Sequence, residues 1–186
     1  GVYDKLAERF QKDVIAGRGA EFVAAKLQER ADRHAREGDS RYRVEPNVKG
    51  GKGGLRDLQT LFWLAKYIHG GKTLQQVLDN SAFTPADKAI FLREARFLWT
   101  VRCHLHFLTG RPEERLSFDL QRDMAVRLGY TAHPGLKDVE RFMKHYFLIA
   151  KEVGDLTRIF CAALEERHGK QAPMLDRLIP GRAQRR

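Results

Sequence analysis

Cysteine is scarce in this chain. There are two in 186 residues, Cys103 and Cys161, each inside a helical pattern. A disulfide framework needs more cysteines and a secreted context, so both are expected to be buried, reduced thiols. Long apolar runs are missing as well. None approaches the ~20 residues that span a bilayer, and no signal-peptide pattern is present. These absences exclude a membrane span and point to a cytoplasmic setting. Alternation with strand period is also absent, and the scattered β-branched residues have no hairpin turn between them. The chain opens on Gly1 and not on Met, and reads as a piece of a longer protein.

What remains is an ordinary globular balance, 42% hydrophobic and 31% charged, with a formal net charge of +10. That charge favours nucleotide, nucleic acid or an acidic protein surface, unless another part of the same polypeptide neutralises it. Apolar residues recur at spacings of three and four almost throughout. The pattern predicts helices near 2–16 (Leu6, Phe10, Val14) and 19–37 (Phe22, Val23, Leu27, Ala31). A third is expected over 54–69 (Leu55, Leu58, Phe62, Ala65, Ile68), and a short one near 73–79. Thr84 and Pro85 start another, running to Thr109 with Phe91, Ala95, Leu98, Val101, Leu105 and Leu108 inward. Asp119, as N-cap, opens a compact helix ending at Leu128, and the longest helix runs from Asp138 to about Glu166. The fold expected is all-α: an antiparallel helical bundle over 1–168 with short accessory helices, followed by a basic linker or tail over 169–186.

Residues 45–59 read EPNVKGGKGGLRDLQ, with four glycines and two lysines directly before the helix that begins at Leu55. Glycine lets backbone approach a ligand closely, and a helix N-terminus attracts phosphate through its unpaired N–H groups. Lys49, Lys52 and Arg56, with N–H groups near Gly53 and Gly54, are the candidate phosphate ligands. Asp57 could cap the helix, stabilise its dipole or orient Arg56. The competing reading is a tight structural loop whose glycines serve helix packing only. Arg102 and His106, four apart on one helix, share a face that either lines a cleft or is satisfied by neighbouring helices. Arg111 is the member of the charged turn after Gly110 best suited to reach a phosphate. Cys103 and His106 have the spacing of a metal pair, but no second pair accompanies them. Seven aromatics, including Trp63 and Trp99, fall at helical spacing as core or domain-interface residues.

The glycine segment resembles the signature of the bifunctional uridylyltransferase/uridylyl-removing enzymes that modify the nitrogen regulatory protein PII. Three further blocks match in order and spacing: Arg102-Cys103-His104-Leu105-His106 leading to Gly110-Arg111, Arg115 to Gln121, and Val139 to Lys144. The resemblance covers roughly 5–165 and implies a helical domain lying between a nucleotidyltransferase domain and a phosphohydrolase-type domain. It implies UTP and PII as partners of the parent, together with those flanking domains, and Mg²⁺ as its cofactor. The catalytic patterns of such an enzyme are missing here. There is no Gly-Ser pair to hold a triphosphate, no Asp-x-Asp to hold Mg²⁺, and no His-Asp dipeptide for a hydrolase metal.

The sequence therefore reads as a non-catalytic helical domain of a PII uridylyltransferase. Its candidate phosphate-binding residues are Lys49, Lys52, Gly53, Gly54, Arg56, Asp57, Arg102 and Arg111, and no metal or cofactor is expected within it. The rival is a basic helical module that binds nucleic acid. That would need recognition-helix chemistry or a basic stripe, whereas the charge here gathers at a glycine loop and a tail.

Overall fold

The computed structural model describes residues 1–81 and 83–169, and among these the regular structure is helical. Helix α1 (Val2–Phe10) runs on into a π turn over Gln11–Ile15, where the Ala16 N–H reaches the Gln11 carbonyl at 3.0 Å. Then come α2 (Gly19–Arg36), α3 (Leu55–His69), α4 (Leu74–Asn80), α5 (Pro85–Thr109), α6 (Phe118–Arg127) and α7 (Asp138–Gly169). Two isolated antiparallel bridges, Asn47 with Arg115 and His133 with Leu136, are the only β pairing among the described residues. The tail expected over 169–186 lies outside the described residues but for Gly169.

Local chemistry fixes the boundaries. At α5 the Thr84 Oγ1 accepts the Asp87 N–H at 3.2 Å, and the Asp87 carboxylate accepts the Thr84 N–H at 2.9 Å. This reciprocal box sits one residue ahead of Pro85, whose missing N–H costs nothing at the first helical position. The other end closes on Gly110 in the left-handed conformation. The start of α6 differs from expectation. Its N-cap is Ser117, not Asp119, which lies in the first turn. Glu45 from the distant glycine segment accepts the Phe118 N–H at 3.0 Å, so a long-range carboxylate does the capping.

Helices α3, α5 and α7 pack against one another, with α6 on α5 and α7, and with α2 and α4 on α3. The shared core contains Leu55, Leu58, Leu61 and Leu64 of α3, Leu98, Val101 and Leu105 of α5, and Phe142, Tyr146 and Val153 of α7. Each such side chain contributes roughly 1.5–3 kcal/mol by leaving water. The buried face of α3 is wider than expected: Leu55, Leu58 and Ala65 are inside as the spacing predicts, Leu61 and Leu64 join them, and Phe62 and Ile68 only pack against the edge. Cys161 is buried, but Cys103 is exposed. Residue 103 sits two positions from both Val101 and Leu105, about 200° around the helix, and so faces away from the core they enter.

Candidate functional site

The glycine segment is held from three sides. Asn47 Oδ1 accepts the N–H groups of Lys49 at 3.0 Å and Gly50 at 2.7 Å, a local turn closed by a side chain. The Val48 N–H donates to the Glu114 carbonyl at 2.8 Å, and the Leu116 N–H to the Pro46 carbonyl at 2.9 Å, joining the loop to the turn after α5. On the third side α7 passes so close that a Cβ on Gly53 would lie 2.1 Å from the Ala150 carbonyl oxygen. Gly53 also has φ of +80°, a region that other residues enter only at a cost. Glycine is therefore required here both for space and for conformation.

Beneath the loop lies a buried charge cluster. Asp57 is 0% exposed. Its Oδ2 accepts the Gly53 N–H at 2.8 Å, which ties the first turn of α3 back to the loop. Its Oδ1 accepts from Arg33 at 2.6 Å and from Arg30 at 3.3 Å. His34 Nε2 lies 2.9 and 3.1 Å from the two carboxylate oxygens. A carboxylate only accepts, so Nε2 carries the proton. Burial alone would raise the Asp57 carboxyl pKa, but the His34 hydrogen bond, the Arg30 charge and the Gly53 N–H outweigh it and hold the group below the usual carboxylate range. Of the three roles open to Asp57, its first-turn position suits the helix dipole, whereas the N-cap is Gly54 and the Arg56 guanidinium bonds Gln59.

The outer face of the loop carries the other cations. Arg56 is exposed; its guanidinium reaches the Gln59 amide oxygen at 3.3 Å and pairs with no carboxylate among the described residues. Lys52 Nζ lies 2.7 Å from the exposed Asp39. Lys49 and Arg102 meet at one oxygen, Glu114 Oε1, at 2.9 and 2.8 Å. Burial pushes the Glu114 carboxyl pKa up, and the hydrogen bonds from Lys49 and Arg102 bring it below normal. Arg102 also lies over the Trp99 ring at 5.3 Å, and its Nε is buried without a hydrogen-bond partner, as is His106 Nε2 one turn on. Arg111 is 72% exposed and bonds Glu113 at 2.8 Å.

The backbone N–H groups at the start of α3 are engaged inside the protein. Gly54 donates to Gly51, Leu55 to Val48, Arg56 to Lys49 and Asp57 to Gly54, at 2.9 to 3.0 Å. Gly53 and Gly54 thus shape the loop, and it is the side chains that face solvent. Five residues that build this site have no binding role assigned from the sequence: Arg30, Arg33 and His34, and also Asn47 and Glu114, which enter there only within the signature segment and the charged turn. The first three did leave a signal, since they share one face of α2 at three- and four-residue spacing.

Comparison with known proteins decides the family. The family model of GlnD PII-uridylyltransferase matches residues 21–161. The chain belongs to the GlnD PII-uridylyltransferase family. It is 62% identical over 178 residues to a bifunctional uridylyltransferase/uridylyl-removing enzyme of Bradyrhizobium sp. (strain BTAi1 / ATCC BAA-1182), covering 96% of this chain and 19% of the relative. The enzyme of that name from Nitrobacter winogradskyi is 61% identical over 188 residues, covering 100% of this chain and 20% of the relative. The one from Azospirillum brasilense is 57% identical over 164 residues, covering 88% of this chain and 18% of the relative. The chain thus spans about a fifth of the length of these GlnD relatives. No solved structure matches it. No helix among the described residues is long and apolar enough to cross a membrane.

Proposed function

We propose that this chain is the helical module that closes one side of the nucleotide cleft in a cytoplasmic bifunctional uridylyltransferase/uridylyl-removing enzyme. The parent would transfer UMP from UTP to a tyrosine of PII and remove it again. In this reading Arg56 is the leading phosphate ligand, with Lys49 and Lys52 beside it and Arg102 and Arg111 at the margin. Gly53 and Gly54 set the shape of the loop, and Asp57 holds that shape from beneath.

The observation that carries the reading is the state of Arg56: an exposed guanidinium that pairs with no carboxylate among the described residues, in the first turn of a helix whose leading loop is fixed by a buried cluster. A forked donor on a rigid support suits a phosphate, because little order remains to be imposed on binding. Lys49 and Arg102 would join by exchanging Glu114 for a phosphate oxygen. The reading assigns no catalytic group to this chain. Among the carboxylates against the loop, Asp39, Asp57 and Glu114 are engaged by lysine or arginine, and Glu37 accepts from the Asn47 amide at 3.3 Å. In this reading the Mg²⁺ expected for the parent is held by residues outside this chain.

The test is Arg56→Ala in the full-length parent. A charged donor to phosphate contributes about 1.5–3 kcal/mol, so transfer to PII should fall by about ten- to a hundredfold. Uridylyl removal, at a different site, should fall less. Transfer at the wild-type rate in both Arg56→Ala and Lys49→Ala would reduce the loop to a structural element.

A further inference from the structure

We propose that the open face between α1, the π turn and the C-terminal half of α3 is an interdomain interface, covered in the parent by an apolar segment from another part of the same polypeptide. No residue of α1 or of the π turn is buried. Their groove-lining apolar residues nevertheless face solvent, with Tyr3 72%, Phe10 52% and Val14 40% exposed. Across from it stand Phe22 and Tyr67, stacked at 3.9 Å, and Trp63, itself 52% exposed. The groove between the walls has a volume of about 850 Å³. The Tyr67 hydroxyl donates to the Val14 carbonyl at 3.4 Å and ties the far end of the π turn to α3.

A helical stretch of this length is marginal in water by itself and draws its stability from packing an amphipathic face. An exposed apolar strip beside a groove marks a contact surface. The occupant is indicated by the extent of the relatives. The Nitrobacter winogradskyi enzyme aligns with the whole of this chain, including the α1 stretch that precedes the family match at residue 21, yet four-fifths of its length lies elsewhere. That remainder is joined covalently and therefore meets the groove at high effective concentration. Charge on the rim is mixed, Asp4, Glu8 and Glu21 against Arg18, Lys66 and Lys72, so no strongly charged separate partner is selected.

The experiment is amide hydrogen exchange on the full-length parent, wild type and Phe10→Asp, with mass measured by light scattering over a dilution series. Residues 2–15 of the wild type should be protected at every concentration and constant mass. Phe10→Asp should speed their exchange by about tenfold or more, while α5 peptides over 91–105 stay unchanged. Exchange of residues 2–15 in the wild type at the rate of an unfolded peptide would overturn the proposal. So would protection that Phe10→Asp leaves unmoved, or protection lost on dilution as the mass halves, which would identify a second copy as the occupant. If Phe10→Asp does not fold, the wild-type profile and its dilution series decide alone.

Discussion

Two sets of basic side chains flank the glycine loop, and they are built on opposite terms. The inner set, Arg30, Arg33 and His34, surrounds a carboxylate with no access to solvent. The outer set, Lys49, Lys52 and Arg56, is half-buried or exposed, and its partners are the half-buried Glu114, the exposed Asp39 and, for Arg56, a glutamine. Arg56 and Asp57 make the contrast sharpest. They are adjacent in sequence, yet a 100° turn of helix sends one to water and the other beneath the loop. The inner set is coupled to folding, because each member donates to a carboxylate that has no water to bond instead. The outer set can change partners at little structural cost, which is the property a ligand site needs.

The largest expected effect comes from breaking the inner set. Asp57→Ala would leave two arginines and a histidine facing each other without their acceptor, and would free the Gly53 N–H. Removing one partner from a buried ionic cluster costs about 3–5 kcal/mol. Urea unfolding of the 186-residue chain should show this as a large fall in midpoint. A loss below about 1 kcal/mol would mean that the two sets do not differ as described. Gly53→Ala comes next. The new methyl would meet the Ala150 carbonyl and force a positive φ on alanine. Backbone strain and overpacking together suggest about 2–4 kcal/mol, again read from the unfolding midpoint. The loop should also separate from α7, so Ala150 and its neighbours should exchange amide hydrogens faster.

Acid gives a graded version of the same test. The Asp57 carboxyl is held below its ordinary value in the folded state. Its stabilisation is therefore fully present above the unfolded value, near ~3.9, and is lost as pH falls through the folded value. The stability gap between wild type and Asp57→Asn should be constant above about pH 4 and narrow below it. Other carboxylates titrate in both proteins and cancel in the difference. A gap that widens in acid would contradict the sign.

The contrast also explains what could be read from the sequence. Helix periodicity and the Thr84 box are local, so the all-α fold, the ends of α5 and the glycine break were legible. The inner cluster was not, because Asp57 meets its partners across 23 to 27 residues of chain. The capping of α6 by Glu45 spans 73 residues and displaced the local candidate, Asp119. The outer cations were legible as residue types beside glycines, but their exposure was not. Nor was the use of the α3 N–H groups by the loop itself, which turns an apparent backbone cradle into a shaped support for side chains.

The smallest effect on stability should belong to the residue with the largest proposed effect on transfer. Arg56 is exposed, pairs with no carboxylate among the described residues and contributes one long hydrogen bond to Gln59. Surface substitutions of this kind usually change stability by less than about 0.5 kcal/mol. Arg56→Ala should therefore leave the unfolding midpoint of the chain where it was, while Asp57→Ala, one residue on, moves it far. If both variants destabilise alike, the guanidinium belongs to the scaffold and the distinction between inner and outer sets fails. If Arg56→Ala is silent in unfolding and costly in transfer, the loss cannot be attributed to folding. Lys49→Ala should then fall between the two, since Lys49 shares Glu114 with Arg102 and its removal leaves that carboxylate one cation short.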